Sequence, residues 1–196
     1  MNSIIVSEKL KLKVLNPLED AEIAFSIVQI NREYLEKWLP WVGMTTCVEN
    51  EINYMKGALE RFQNGLGLEM GIFERNTEGG NEILNFIGMC GIVRIDRQNE
   101  ESQFGEIGYW LDYEHRGQGI ITKCCEKLVE FAFKTLNLNL LKIVAHQDNQ
   151  ASISVAKRLK FTLTDEKAKD CHPKYHRDPT KLLIFAKYKK EWANIS

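Results

Sequence analysis

The chain has 196 residues, of which 44% are hydrophobic and 27% are charged, and it carries a formal net charge of −1 with a pI near 6.4. These values are ordinary for a globular protein, and we expect one domain over residues 1–196. The weak net charge argues against direct nucleic-acid binding, because phosphate contacts need a sustained basic surface.

The chain ends and the cysteines indicate where the protein works. The longest apolar run near either end, Leu182 to Ala186, is far shorter than the roughly 18 residues of a membrane span. Met1 to Lys11 lacks the apolar core of a signal peptide. Five cysteines at irregular spacing favour buried reduced thiols over disulfides, and Cys124 lies on the apolar stripe of a predicted helix. We therefore expect a cytoplasmic protein without membrane contact, either a monomer or a homodimer.

The first third of the chain predicts one strand followed by helices. Leucine and valine alternate with lysine from Lys9 to Val14, which indicates a strand with one apolar face. Asn16-Pro17-Leu18-Glu19 has the pattern of a helix start, with Asn16 as the N-cap and Pro17 at the first helical position. Helical spacing resumes from Asn31 to Leu39 and stops at Pro40. A further helix is predicted from about Val48 to Phe62.

The middle of the chain predicts successive strands. Apolar residues alternate with glycine and glutamate from Leu66 to Ile72. Glu78 to Asn81 indicates a turn, and a longer strand is expected from Ile83 to Ile95. Phe104 to Asp112 is rich in aromatic and β-branched residues and forms the next predicted strand.

The last part of the chain alternates between helices and strands. From Gly119 onward apolar residues recur at helical spacing, and an apolar strand follows at Leu140 to Gln147. A helix over 150–159 and strands near 161–165 and 181–188 complete the pattern. The predicted fold is a mixed α/β sheet.

Two glycines, Gly117 and Gly119, lie where a predicted strand turns into a predicted helix. Glycine lets the backbone come close to a ligand. The first turn of a helix presents unpaired N–H groups and about half a positive charge. This arrangement suits a pyrophosphate group. A tight left-handed turn without a ligand is the alternative, because Gly-x-Gly alone occurs in many turns.

The ordered set of strand, glycine turn, helix, strand, Asn149 and helix resembles the GNAT superfamily of CoA-dependent N-acyltransferases, whose CoA loop reads Arg/Gln-x-x-Gly-x-Gly/Ala. Here the first position of that loop is Glu114. Two segments narrow the resemblance to the RimJ/RimL type, the acetyltransferases of ribosomal-protein N-termini: Glu106-Ile107-Gly108-Tyr109-Trp110-Leu111-Asp112 and Trp38-Leu39-Pro40-Trp41. The resemblance implies a GNAT acyl-CoA N-acyltransferase fold of the α/β (α+β) class. Its mixed sheet would have about six to seven strands, splayed between the fourth and fifth, and about four helices.

The resemblance also implies where acetyl-CoA, the cosubstrate, lies. Its pantetheine arm would run between the strands 106–112 and 140–147, held by main-chain groups of Trp110 and Leu111. Asn149 would hold the pantetheine or cap the helix that follows it. The residues expected at the pyrophosphate are Arg116, Gly117, Gln118, Gly119 and Ile120. The side chain of Arg116 would either meet a phosphate or face solvent.

Acetyl transfer from a thioester to an amine depends mainly on placement, with help from a base. Glu106 is the first candidate for that base, because it precedes the loop on the strand expected to flank the thioester. Strand alternation puts Glu106, Gly108 and Trp110 on one face, and we expect the glycine to leave room for substrate. An exposed strand residue or an ion pair is the alternative for Glu106.

The departing CoA thiolate needs one hydroxyl donor, which many GNAT members supply as a tyrosine in the second helix. The matching position here is Ala156, so Ser152 is the candidate. Helical spacing places Ser152 on one face with Val155, Ala156 and Leu159, and this face should point inward. A serine that only satisfies the backbone of the first helical turn is the alternative.

The resemblance weakens after Phe161. Where the RimL-like pattern has a candidate acid, the chain reads Lys169 to His176, and either Asp170 or His172 would replace it. Cys171, His172 and His176 also suggest a metal site, but no second ligand cluster has zinc spacing. We therefore expect no metal.

We expect an acetyl-CoA-dependent N-acetyltransferase whose acceptor is a primary amine. The leading acceptor is the N-terminal α-amino group of a ribosomal or other protein, because such a group has a pKa near 7.7 to 8.0, whereas that of lysine is near 10.4. Two alternatives stay open: an acetyltransferase for a small amine, such as a polyamine or an aminoglycoside, and a non-catalytic CoA-binding sensor or scaffold.

Overall fold

The computed structural model describes residues 2–98, 103–166 and 178–193. The strands are β1 Ser3–Ser7, β2 Leu10–Val14, β3 Leu68–Glu78, β4 Asn81–Asp96, β5 Phe104–Leu111, β6 Leu140–His146, β7 Thr162–Leu163 and β8 Leu182–Tyr188. The helices are α1 Ala21–Ile30, α2 Arg32–Glu36, α3 Val48–Gln63, α4 Ile120–Lys134, α5 Gln150–Arg158 and α6 Lys189–Ala193, and a 3-10 helix spans Pro40–Met44.

The strands form one sheet in the order β1-β2-β3-β4-β5-β6-β8-β7. Neighbouring strands are antiparallel except β5 and β6, which run parallel. The parallel pairing covers three residue pairs and ends at Glu106 and Lys142. Beyond that point β5 and β6 separate, so the sheet is splayed between the two predicted segments, which are the fifth and sixth strands because β1 was not predicted.

Helices cover both faces of the sheet. On one face α4 and α5 pack on β5 and β6 through buried residues such as Phe133, Leu141 and Ile153. On the other face α1 and α3 pack on β3 and β4 around Val28 and Met55. The mixed α/β class expected from the sequence is thereby confirmed. The described residues form eight strands and six helices, whereas about six to seven strands and about four helices were expected.

The predicted helix start at Asn16 is wrong. Helix α1 begins at Ala21, and residues 16–20 form a turn closed by the Asp20 carboxylate. That carboxylate accepts hydrogen bonds from the Asn16 N–H at 2.7 Å and from the Lys13 ammonium group at 3.0 Å. The Asn16 side chain accepts from the Leu18 N–H at 3.0 Å, so it closes the turn instead of capping the helix.

The cysteine prediction holds for three of the four described thiols. Cys90, Cys124 and Cys125 are buried and unbridged, whereas Cys47 is exposed at the start of α3. Within residues 2–98, 103–166 and 178–193, no helix has both the length and the apolar composition that crossing a bilayer requires.

Candidate active site

A cleft of about 800 Å³ opens where β5 and β6 separate. Its walls come from α2 and the 3-10 helix on one side and from the start of α4 and of α5 on the other, with β4, β5 and β6 as its floor. It is lined by nine of the ten residues that the sequence singled out: Glu106, Trp110, Leu111, Arg116, Gly117, Gly119, Ile120, Asn149 and Ser152. Gln118 does not line it; this exposed side chain lies between the two glycines and contacts the carbonyl group of Glu114.

The glycine turn has the geometry of an anion cradle. Gly117 and Gly119 have φ of +75° and +74°, a left-handed conformation that side chains disfavour, and no atom lies within 4 Å of a Cβ built on either. Gly119 is the N-cap of α4, and the first helical bond runs from the Lys123 N–H to the Gly119 carbonyl group. The preceding N–H groups are therefore left for a ligand, in a site with the positive end of the helix dipole. These features fit the diphosphate of coenzyme A.

Arg116 is held by aromatic stacking. Its guanidinium carbon lies 3.3 Å from the ring centroid of Tyr113 and 4.7 Å from that of Tyr34, and its Nε donates to the Tyr113 carbonyl group at 3.1 Å. The side chain is exposed but oriented. It thus borders the cleft as a fixed positive charge beside the glycine turn.

A buried polar network anchors this loop to the helices. The Asp112 carboxylate accepts from Asn31 Nδ2 at 2.7 Å and pairs with His115 Nδ1 at 2.7 Å. The Asn31 amide oxygen in turn accepts from the Tyr113 N–H at 2.8 Å. The start of the glycine turn and the junction of α1 and α2 are therefore one connected unit. Sequence patterns missed this network, because Asn31 and Asp112 are 81 positions apart.

The open edge of β5 differs in one respect from the expectation. The Asp112 N–H donates to the Ile87 carbonyl group, toward β4. Since main-chain groups alternate along a strand, those of Trp110 also point to β4, and those of Tyr109 and Leu111 point to the open edge. The assignment of a pantetheine contact to the main chain of Trp110 is therefore revised in favour of Tyr109, while Leu111 is retained. Trp110 contributes a buried indole that packs against Phe86 and Trp41.

Glu106 lies at the point where the parallel pairing ends. Burial raises the pKa of its carboxyl group, and the charges of Arg94 and Lys142 offset part of that effect. Lys142 itself is hydrogen-bonded to Glu166 at 2.6 Å. Among the described residues, no hydrogen bond or ion pair engages the Glu106 carboxylate, so the alternative of an ion-paired strand residue does not apply to this part of the chain.

Gly108 lines the cleft, and its lack of a side chain also makes room for a neighbouring residue. A Cβ built on it would lie 2.8 Å from Cγ1 of Val93, which lines the cleft. The missing side chain is therefore needed for close packing of β4 on β5.

Ser152 and Asn149 lie at the start of α5. The Asn149 side-chain oxygen accepts from the Ser152 N–H at 3.2 Å, so Asn149 is the N-cap of this helix, and any ligand contact is left to its NH2 group. Val155, Ala156 and Leu159 are buried on the same face, as predicted. The Ser152 hydroxyl group is 2.9 Å from that of Tyr109, a residue that the sequence did not single out.

Aromatic residues surround the far end of the cleft. Trp41 stacks parallel to Tyr54 at 6.4 Å between ring centroids. The Tyr54 hydroxyl group and the Arg61 guanidinium group both bind the buried carboxylate of Glu69, the latter through Nε at 3.0 Å. The cleft therefore has an aromatic wall, and the Glu69 carboxylate behind it is neutralised rather than available to a substrate. Asp170, His172 and the suggested metal ligands Cys171, His172 and His176 all lie outside the described residues.

The chain is similar to known acetyltransferases in sequence and in structure. The family model described as an acetyltransferase (GNAT) domain matches residues 10–162. YdaF of Bacillus subtilis strain 168, provisionally named a ribosomal N-acetyltransferase, is 29% identical over 190 residues, which cover 95% of each chain. The ribosomal-protein-serine acetyltransferase of Escherichia coli K12 is 28% identical over 161 residues, 82% of this chain and 83% of that protein. The structure of RimL, a ribosomal-protein α-N-acetyltransferase, with coenzyme A superimposes with a TM-score of 0.79 at 25% identity, covering 95% of this chain and 98% of that one.

Proposed function

This chain belongs to the GNAT acetyltransferase family, RimJ/RimL type, and is an acetyl-CoA-dependent N-acetyltransferase; from this premise we propose that it acetylates the N-terminal α-amino group of a protein, with ribosomal proteins as the first candidates. The observation that carries this proposal is the cleft between β5 and β6, which ends in a glycine cradle on one side and on the other contains the Glu106 carboxylate, to which no described residue donates a hydrogen bond. The named activities of the relatives support the choice of acceptor.

The chain's own groups would hold the cosubstrate by its polar and extended parts. Main-chain N–H groups of Gly117, Gly119 and Ile120, with the side chain of Arg116, would bind the diphosphate. The open edge of β5 at Leu111 would pair with the amides of the pantetheine arm, as a missing neighbouring strand would. The acetyl thioester, which is already activated, would then lie in the gap beside Glu106 and Ser152.

Glu106 would accept the proton that the amine loses as it attacks. A partly buried carboxyl group with a raised pKa is a stronger base than an exposed glutamate, and the charges of Arg94 and Lys142 favour its ionised form. This is adequate for an α-amine, whose reference pKa is about 7.7 to 8.0, but poor for a lysine at about 10.4. A modest base therefore favours an N-terminal acceptor.

Ser152 would donate a hydrogen bond to the sulfur as the C–S bond breaks. A thiol has a reference pKa of about 8.5, so the thiolate is a fair leaving group and one hydroxyl donor suffices. Asn149 fixes the backbone of Ser152, and its remaining NH2 group would contact the pantetheine.

The test is acetyl transfer from acetyl-CoA, followed as release of free thiol, across matched acceptors. Peptides beginning with serine or alanine should react, whereas the same peptides with a blocked N-terminus and an internal lysine should not. Spermidine and an aminoglycoside test the small-amine alternative. Faster reaction with either small amine than with every peptide would overturn the proposed acceptor.

A further inference from the structure

The hydroxyl group of Tyr109 meets Ser152 on the side of β5 opposite to Glu106. Tyr109 Oη is 2.9 Å from Ser152 Oγ and 3.4 Å from the Ser152 carbonyl oxygen. The ring packs against the apolar residues beneath α4 and α5, so its position is fixed by the core. Both residues line the cleft.

The two hydroxyl groups share one hydrogen bond, so one of their two protons remains available to a ligand. Each hydroxyl group donates a single hydrogen bond. When Tyr109 donates to Ser152 Oγ, the serine proton is free to point into the cleft. Burial raises the pKa of Tyr109, so its hydroxyl group stays protonated and remains a donor. The Asn149 side chain holds the backbone N–H of the same serine at 3.2 Å. Ser152 is thus fixed both at its main chain and at its side chain.

We propose that Tyr109 is a positioning residue for acetyl transfer, which donates a hydrogen bond to Ser152 Oγ and so turns the serine proton toward the sulfur of coenzyme A. The inference rests on the proposed role of Ser152. Because hydrogen bonds in a chain polarise one another, the contact from Tyr109 also makes the serine O–H a stronger donor.

The step balances without proton loss from either hydroxyl group. The amine nitrogen bonds to the acetyl carbon, and its proton passes to Glu106. The C–S bond breaks and its electron pair stays on sulfur, where the serine O–H donates a hydrogen bond to the thiolate. After the products leave the cleft, Glu106 releases its proton to the solvent and the thiolate takes one up from it, so no net proton is gained or lost. Because successive side chains of a strand point to opposite faces, Tyr109 and Glu106 lie on opposite faces of β5. The sulfur and the amine would therefore be contacted from different sides of the strand.

The test is a double-mutant cycle of Tyr109→Phe and Ser152→Ala, measured as single-turnover rates with acetyl-CoA and a peptide that begins with serine. Tyr109→Phe removes one oxygen atom and keeps the ring packing. Each single variant should lower the rate about tenfold, the scale of one hydrogen bond, with little change in KM for either substrate. The double variant should be no slower than Ser152→Ala, because Tyr109 acts through that serine. Tyr188→Phe, an exposed tyrosine on β8, is the matched control and should keep the wild-type rate.

The outcomes separate this inference from the proposed function. An inactive wild type with every amine, or a Ser152→Ala variant at the wild-type rate, would remove the premise. If Ser152→Ala is slow while Tyr109→Phe reacts at the wild-type rate, the inference is overturned and the proposed function stands. The same holds if the rate losses of the two single variants multiply in the double variant. Should Tyr109→Phe fail to fold, Tyr109→Met carries the test, since its flexible apolar side chain can fill the same core position and also lacks the hydroxyl group. A folded Tyr109→Met variant at the wild-type rate would contradict the inference.

Discussion

Replacing Glu106 with glutamine removes the proposed base and keeps the shape of the side chain. General-base catalysis is worth about 10²-fold to 10⁴-fold. We expect the lower end, a loss in kcat/KM of about 10²-fold or about 2.7 kcal/mol, because an α-amine is already partly neutral near pH 7.5. The assay is thiol release with a serine-initiated peptide at saturating acetyl-CoA.

The pH dependence of kcat/KM tests the same role of Glu106, and its direction can be predicted. Catalysis needs the carboxylate, so the wild-type kcat/KM rises as the pH rises through the pKa of Glu106. Burial raises that pKa, which places this acidic limb at a higher pH than an exposed glutamate would give. Glu106→Gln should lack the limb. Arg94→Gln should move it to still higher pH, because the charge of Arg94 lowers the pKa of Glu106.

Burial of Glu106 should favour activity but lower the stability of the folded protein at high pH. The pKa of Glu106 is higher in the folded state than in the unfolded state, so its contribution to stability is fully present below the unfolded-state pKa. That contribution is lost as the pH rises through the folded-state pKa. Each unit of difference corresponds to about 1.4 kcal/mol. Glu106→Gln should therefore resist urea better than the wild type at pH 8 and equally well at pH 4.

Lys134→Gln is the control, since Lys134 pairs with Glu130 at 2.8 Å on the exposed side of α4. It should leave both the rate and the acidic limb unchanged. Wild-type kcat/KM in Glu106→Gln would refute the assignment of the base. A variant that loses stability at pH 8 together with activity would show that Glu106 is needed for the fold.

Further predictions concern the cradle, the cap of α5 and a second buried acid. Gly119→Ala should raise the KM for acetyl-CoA and lower the unfolding free energy by about 1 to 2 kcal/mol, because alanine is strained in the left-handed conformation. Gly65→Ala is the control, since Gly65 has a φ of +69° and open surroundings. It should lose similar stability in urea with no change in KM. Asn149→Asp keeps the capping oxygen, so it should keep the thermal stability but raise the KM for acetyl-CoA. Asn149→Ala should raise this KM as well, and it should lose about 1 kcal/mol of unfolding free energy in urea because the helix cap is removed. An equal KM in the wild type and both variants would exclude Asn149 as a ligand. Burial raises the pKa of Glu51 to about 7, so between pH 4 and pH 8 the wild type should lose about 3 kcal/mol of unfolding free energy relative to Glu51→Gln. If the difference in unfolding free energy between these two proteins does not change with pH, folding does not raise the pKa of Glu51.

Sequence patterns located the centre of the fold well, because the signals there are local. Strand β5, the glycine turn and α4 were expected within one or two residues of their observed bounds, since left-handed glycines and helical spacing act over a few positions. The N-terminal region was less predictable. Strand β1 was missed, although Ile4, Ile5 and Val6 are a β-branched run, and Asn16-Pro17 imitated a helix start whose Asp20 carboxylate instead closes a turn.

The contacts that complete the site are long-range and could not be derived from spacing. Tyr109 and Ser152 are 43 positions apart, and only the packing of α5 on the sheet brings their hydroxyl groups together. Strand alternation placed Tyr109 on the face opposite to Glu106, but nothing in the sequence indicated which hydroxyl group would face it. The direction of the main-chain groups of Trp110 likewise depends on pairing with β4, which a single strand does not reveal.

Asp112, Glu69 and Glu106 are carboxylates in or beside the cleft, and their partners distinguish their roles. Asp112 is bound by Asn31 and His115, and Glu69 by Tyr54 and Arg61, so each of these charges is already compensated within the protein. Removing either acid would leave buried donors without an acceptor, which is a structural cost. Glu106 is engaged by no hydrogen bond within the described part of the chain, although burial raises its pKa. A partly buried carboxylate without such a partner in that part of the chain is maintained against stability, and of these three acids Glu106 is the one whose oxygens are open to a proton from the substrate.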